Sequence, residues 1–266
     1  MGLRVTESLI IMKKYLLLFL ALVATTSADP LAETPKKVEK PYDKLIKGDW
    51  VHQEAPLAED GLPFWIYGDR KLKRGKKSPL LIVLHGRRNN AKLGQEFKVQ
   101  SIASLWAKKA NYKENPCFVV QPYYPPKGGW EKIPEQLDET IKHLASHLPI
   151  DLERVYLFGF SNGGQGTFQA LARQPEWYAG AVTVAGPVSP KSVVGKIKAP
   201  VWCWVGGNDT DLNKNVRLPE LAKKLQAEDD RVRLNVVPNA GHNVIPQSIG
   251  TEKVRNWLFE QRLEQK

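Results

Sequence analysis

Three side chains of the kinds that together activate a hydroxyl stand just after apolar runs: Ser161 after VYLFGF, Asp209 after VWCWVGGN and His242 after VRLNVVPNAG. A serine hydroxyl is a weak nucleophile until a base takes its proton. His242 is the candidate base, and Asp209 is the candidate group that holds the imidazole in the right tautomer and stabilises its cation. Ser161 lies in GFSNGG, between Gly159 and Gly163. Gly, Ser and Asn are also ordinary turn formers, and G-x-S-x-G arises by chance about 0.1 times in a chain of this length. Context separates a nucleophile from a turn: a strand before, a small-residue helix after, and Asp and His at later strand ends, in that order. Gly159 and Gly163 leave room for the strained bend a nucleophile would occupy. Charge developing on an attacked carbonyl would need donors, and the backbone N–H groups of Asn162 and of Arg87, just after His85-Gly86, are expected to supply them. The side chains of those two residues are not expected to react.

These residues need elements to hold them. LPFWIYG reads as a strand, and LLIVLHG is a continuous apolar run of the kind buried on both faces. A helical stretch around FKVQSIASLWAKKA leads to the strand CFVVQP and the long loop YYPPKGGWEK. PEQLDETIKHLASHL carries Leu137, Ile141, Leu144 and Leu148 at helical spacing. Then follow VYLFGF, helix GGQGTFQALARQ, strands GAVTVAG and VWCWVGG, helix LPELAKKLQA, strand VRLNVVP and helix TEKVRNWLFEQRLE. Strand alternating with helix at this rate predicts an α/β fold with a mostly parallel sheet and helices on both faces. In such sheets sites form at the carboxyl ends of strands, where Ser161, Asp209 and His242 fall.

From about Gly61 to the C-terminus the sequence resembles the α/β-hydrolase superfamily. Within it the chain is similar to the small secreted esterases of the polyhydroxybutyrate depolymerase, feruloyl esterase and phospholipase/carboxylesterase-like groups. The resemblance is carried by LHG at 84–86, DLERVYLFGFSNGG from Asp151, the G-x-x-D of Gly206 to Asp209, and Gly241-His242. It implies the α/β-hydrolase fold with a small lid or none, and ester hydrolysis through an acyl-enzyme on Ser161 without metal or organic cofactor. The substrate would be a small-molecule or polymer ester, polysaccharide-linked and polyester substrates included. The family spacing from Gly206 favours Asp209 as the acid over Asp211 in NDTDLN; whichever is not used would cap the following helix. Two other readings stay open: a peptidase resembling the catalytic domain of the prolyl oligopeptidase family, and a binding protein that keeps the fold without the chemistry.

Residues on the substrate side are less marked. Trp130, in PPKGGWEKIP, is placed to wall an acyl or aromatic group, with simple packing as the other reading. Arg88, beside Arg87 in HGRRNN, is placed to bind a carboxylate or an acidic polysaccharide, with solvent exposure as the other. His143 and His147 are spaced like a helical metal pair, yet no Glu completes H-E-x-x-H and no third ligand is in view. They fall off the leucine stripe and are expected on a solvated helix face, so no metal site is expected. His52 has nothing around it in sequence that suggests chemistry.

Composition bounds the rest. The 266 residues are 42% hydrophobic and 25% charged, ordinary for a globular protein. Lys13 and Lys14 before the run YLLLFLALVA, then TTSA, read as a secretory signal cleaved after Ala28, and a start at Met12 would give it a more typical length. The apolar run is shorter than the roughly 20 residues of a bilayer span, so no stable membrane insertion is expected after cleavage. The expected organisation is a signal peptide at 1–28, a flexible Lys/Pro-rich leader at 29–47 and a catalytic domain at 48–266, in a secreted or periplasmic protein, monomeric by default. The formal charge is +11; Arg4, Lys13 and Lys14 against Glu7 account for two of those charges, leaving +9 on the remainder. The basic residues are scattered among acids, which argues against a nucleic-acid partner. Cys117 and Cys203 lie inside strand-like runs and are expected as buried free thiols.

Overall fold

Apolar runs without polar alternation become central strands, because a strand covered on both faces has no wet side. The computed structural model describes residues 31, 33–53, 61–73, 76–87, 101–124, 129–186, 195–210, 227 and 232–263. In chain order the elements are β1 (Val51–Gln53), β2 (Phe64–Tyr67), β3 (Ser78–Leu84), α1 (Ser101–Ala107), α2 (Lys109–Glu114), β4 (Phe118–Pro122) and α3 (Pro134–His147). They continue with β5 (Ile150–Phe160), α4 (Asn162–Arg173), β6 (Gly180–Val184), β7 (Val201–Gly206), β8 (Val232–Val237) and α5 (Glu252–Glu260). One eight-stranded sheet runs β1-β2-β4-β3-β5-β6-β7-β8. β1, β2 and β4 pair antiparallel, and every neighbour from β4 onward is parallel.

β3 lies between β4 and β5, so strand order reverses there, and it is beyond the carboxyl ends at such a reversal that open α/β sheets bind ligands. All seven residues of β3 and all six of β7 are buried, as their continuous apolar runs require. The helix expected around FKVQSIASLWAKKA is described from Ser101 onward and breaks at Lys108 into α1 and α2. The signal at 1–28 and the helix expected at LPELAKKLQA lie outside the described residues but for Ala227. No helix among the described residues is long and apolar enough to cross a membrane.

α3 begins on Pro134, which needs no intrahelical acceptor at a first turn. Its stripe Leu137, Ile141 and Leu144 is buried, and Pro149 follows just beyond its end. α3 is fastened to α4 by Arg173 Nε and Gln174 Nε2, which donate to Asp138 Oδ2 at 2.6 and 2.9 Å. Burial pushes the Asp138 carboxyl above its ordinary range against the pull of those two donors.

Residues 33–47 differ from the expected flexible leader. Val38, Tyr42 and Ile46 are buried in the core, Thr34 Oγ1 donates to the Ile150 carbonyl at 2.7 Å, and Glu39 N–H donates to the His147 carbonyl at 2.9 Å. Three apolar residues at four-residue spacing are enough to dock a segment otherwise made of Lys, Pro and acids. The same segment corrects the solvated face expected for His143 and His147: both are half-buried, 4.2 Å apart between ring centroids, with the Tyr42 ring at 5.8 and 5.5 Å.

Loss of water, and then the charge of His147, lower the His143 pKa below its ordinary 6.5. Above that value folded and unfolded chains both hold a neutral imidazole, so the group costs nothing. As pH falls through 6.5 towards the lower folded value, the unfolded chain takes up a proton the folded chain refuses, and stability is lost. The melting temperature of the wild type should therefore drop more between pH 7.5 and pH 5.0 than that of His143→Gln. Equal drops would dismiss the effect.

Cys117, just before β4, and Cys203, within β7, are buried free thiols, as expected. Burial pushes the Cys203 thiol up to about 12 and the Cys117 thiol higher still, which keeps both un-ionised at neutral pH.

Candidate active site

The carboxyl ends of β3, β5, β7 and β8 bring the sequence candidates to one side of the sheet. β5 runs into α4 through Ser161, whose φ of 54° and ψ of −119° lie where an L-residue is strained by about 1–3 kcal/mol. The bend is fixed from both sides: Ser161 N–H donates to the Val184 carbonyl at 2.8 Å, and its own carbonyl accepts from Gln165 at 3.2 Å. Close approach makes the bend possible. A Cβ on Gly163 would lie 2.0 Å from the Leu84 carbonyl oxygen, so the first turn of α4 sits directly against the end of β3.

β7 and β8 present the other pair. Asn208 N–H donates to the Ala240 carbonyl and Gly207 N–H to the Val237 carbonyl, both at 2.9 Å, which ties the loop bearing Asp209 to the loop bearing His242. His242 Nδ1 lies 2.8 Å from Asp209 Oδ2. An ionised carboxylate can only accept, so Nδ1 is the donor of this pair, and in a neutral imidazole that leaves the lone pair on Nε2. The Asp209 side chain is 1% exposed and that of His242 30%, so the acid is shielded while the imidazole reaches solvent. The ring of Phe160, the residue before Ser161, sits 5.2 Å from the His242 ring between centroids.

The β3 end completes the arrangement. A Cβ on Gly86 would lie 3.3 Å from both Ser161 Cβ and the Phe160 ring, which sets the His85-Gly86-Arg87 turn beside the serine. His85 is 1% exposed, and its Nδ1 donates to the Gly86 carbonyl at 2.7 Å. That carbonyl belongs to the same peptide unit as the Arg87 N–H. In a trans peptide the two point in opposite directions, so anchoring the carbonyl to the buried imidazole turns the N–H away from it. The Asn162 N–H is the first of α4, among the groups a helix cannot satisfy internally. An imidazole held in this way can take a proton from a hydroxyl that reaches its Nε2, and backbone N–H groups of this kind can donate to an oxyanion.

Not every candidate keeps its expected place. Trp130 is 2% exposed, which corrects its expected role as a cleft wall: its indole N–H donates inward to the His85 carbonyl at 2.9 Å. Arg88 and Asp211 lie outside the described residues, while Arg87 is exposed. His52 is not without company, since its Nε2 hydrogen-bonds Tyr123 Oη and its ring stacks on Trp65 at 4.7 Å. Sequence reasoning missed Tyr124, whose hydroxyl donates to Asn162 Oδ1 at 2.9 Å, and Phe160, which touches two of the loops. Phe160 was visible as the second residue of the motif, but nothing in sequence says which way it faces.

A mostly parallel open sheet of this order, in a chain that a hydrolase family matches, defines the class, a hydrolase of the α/β-hydrolase fold. The dienelactone hydrolase family matches residues 105–252, more than half of the chain, and the chain belongs to that family. It is 32% identical over 149 residues to the bifunctional acetylxylan esterase/xylanase XynS20E of Neocallimastix patriciarum, covering 51% of this chain and 20% of that protein. It is 28% identical over 131 residues to the putative esterase NocK of Nocardia uniformis subsp. tsuyamanensis, covering 44% of this chain and 35% of the other. The matched regions thus span a fifth and about a third of those relatives. Among solved structures, a thermostable esterase superposes with a TM-score of 0.68 at 24% identity, over 80% of this chain and 63% of that one, a likeness of fold.

Proposed function

We propose that the protein is a secreted serine hydrolase that cleaves carboxylic esters through an acyl-enzyme on Ser161. His242 acts as general base and then general acid, Asp209 orients it, and the N–H groups of Arg87 and Asn162 take the oxyanion. The observation that carries this reading is the 2.8 Å pair of His242 Nδ1 and shielded Asp209 Oδ2, on the same side of the sheet as a serine at positive φ. In the first step the serine oxygen bonds to the ester carbonyl carbon while its proton passes to Nε2. Collapse expels the alcohol, which takes that proton. Water then repeats the sequence, and the acid leaves.

Esters borne on a polysaccharide or polyester are included in the proposed substrate range; a relative named for acetylxylan points the same way. Export to the periplasm or beyond rests on Lys13, Lys14, the apolar run and the small residues before Asp29. The test is to treat the mature protein with a fluorophosphonate and map the adduct, beside turnover of p-nitrophenyl acetate, butyrate and octanoate and of methyl ferulate. One adduct on the peptide containing Ser161, with turnover of at least one ester, is expected. A folded protein that takes no label would overturn the reading and leave a binding role on the same fold.

A further inference from the structure

An oxyanion hole needs two N–H groups at a fixed mutual distance, and here they come from separate chain segments, the turn after β3 and the start of α4. Something must set one against the other. Trp130 touches both. Its Nε1–H donates to the His85 carbonyl at 2.9 Å, which fixes the peptide preceding the one that bears the Arg87 N–H. Its backbone N–H makes a long contact, 3.5 Å, with Asn162 Oδ1, which also accepts from Tyr124 Oη at 2.9 Å. The ring lies 5.1 Å from that of His85 and 5.0 Å, edge-on, from that of Tyr124. On the far side it is pressed against α4: a Cβ on Gly166 would stand 2.5 Å from Trp130 Cβ. The indole is thus wedged between the two donor-bearing segments, with a directional bond to one and van der Waals contact with the other.

We propose that Trp130 is a positioning residue for catalysis: its indole N–H holds the His85 carbonyl so that the Arg87 and Asn162 N–H groups converge on one point beside Ser161. The inference rests on the reading of Ser161 as nucleophile. It predicts an effect on the transition state and little on substrate binding, because the hole is filled only when the carbonyl oxygen becomes charged. Deleting a hole donor outright costs about 100- to 1000-fold in kcat. Loosening one that stays present should cost less, about tenfold in kcat.

The experiment compares the wild type, Trp130→Phe and a variant with benzothienylalanine at position 130, which keeps the shape of the indole and lacks its N–H. Turnover of p-nitrophenyl acetate, inhibition by an alkyl boronic acid that mimics the tetrahedral intermediate, and melting temperature are measured. Expected in both variants are a kcat lowered about tenfold, KM within about twofold, and a boronate inhibition constant raised in step with the loss in kcat. Benzothienylalanine keeps the packing and should lower the melting temperature by only a few degrees, the cost of leaving one buried carbonyl without its donor, so the result stands even where Trp130→Phe folds poorly. Retention of wild-type kcat and boronate affinity by the benzothienylalanine variant would reduce Trp130 to packing. A wild type with neither Ser161-dependent turnover nor boronate inhibition would instead sink the reading of Ser161, and this inference with it.

Discussion

Ser161→Ala is expected to lower kcat for p-nitrophenyl esters by about 10⁴- to 10⁶-fold, the range found when a triad nucleophile is removed and only binding and the oxyanion donors remain. Its companion Ser161→Gly separates chemistry from strain. At φ 54° and ψ −119° alanine keeps a Cβ where the backbone disfavours one, whereas glycine does not. Glycine regains the roughly 1–3 kcal/mol of local strain, less the roughly 0.5–1 kcal/mol of added freedom in the unfolded chain. The glycine variant should melt above the alanine variant by about 2–4 °C, the shift that about 1 kcal/mol gives a domain of this size. Both should be inactive. The pair therefore predicts a site that is kept strained for function. More than about 1% residual activity in Ser161→Ala would refute the nucleophile. Equal melting temperatures would refute the strain while leaving the nucleophile standing.

The legible parts of this protein were those where one residue run suffices. β3 and β7 are continuous apolar runs, and their strands follow from the need to be covered on both faces. The bend at Ser161 was legible because Gly163 must lie against the Leu84 carbonyl, and only glycine allows that approach. What stayed hidden depended on a partner far along the chain. Trp130 looks like a free aromatic in a Gly/Pro-rich loop; its acceptor, the His85 carbonyl, is 45 residues away. A buried indole N–H must find an acceptor, so the rule was available, but its burial was not. His143 and His147 fall off the leucine stripe of α3 and look wet until Tyr42 is laid over them from a segment about 100 residues earlier. β1 is three residues long, too short for its alternation to stand out, and is held by pairing with β2.

The choice between Asp209 and Asp211 is where spacing alone left two carboxylates within reach, and it leads to the second large effect. Asp209→Asn is expected to lower kcat by about 10³- to 10⁴-fold with KM nearly unchanged. The amide has the size of the carboxylate, so the buried position stays filled, and the hydrogen bonds tying Asn208 to Ala240 and Gly207 to Val237 involve backbone atoms only. What changes is the proton. Asp209 Oδ2 lies 2.8 Å from His242 Nδ1, and in the proposed mechanism the carboxylate accepts from that nitrogen and leaves Nε2 to take the proton of the serine. An amide that turns its NH₂ toward Nδ1 makes that nitrogen the acceptor, moves the imidazole proton to Nε2, and so removes the base. Asp211→Asn should change kcat by no more than about twofold, since that carboxylate would then have no part in setting the tautomer. If Asp211→Asn is instead the crippled enzyme, the acid has been assigned to the wrong residue. Because Asn is isosteric, the Asp209→Asn variant should melt within a few degrees of the wild type. A folded protein with about a ten-thousandth of the activity would locate the loss in which nitrogen holds the proton, and not in the packing around it.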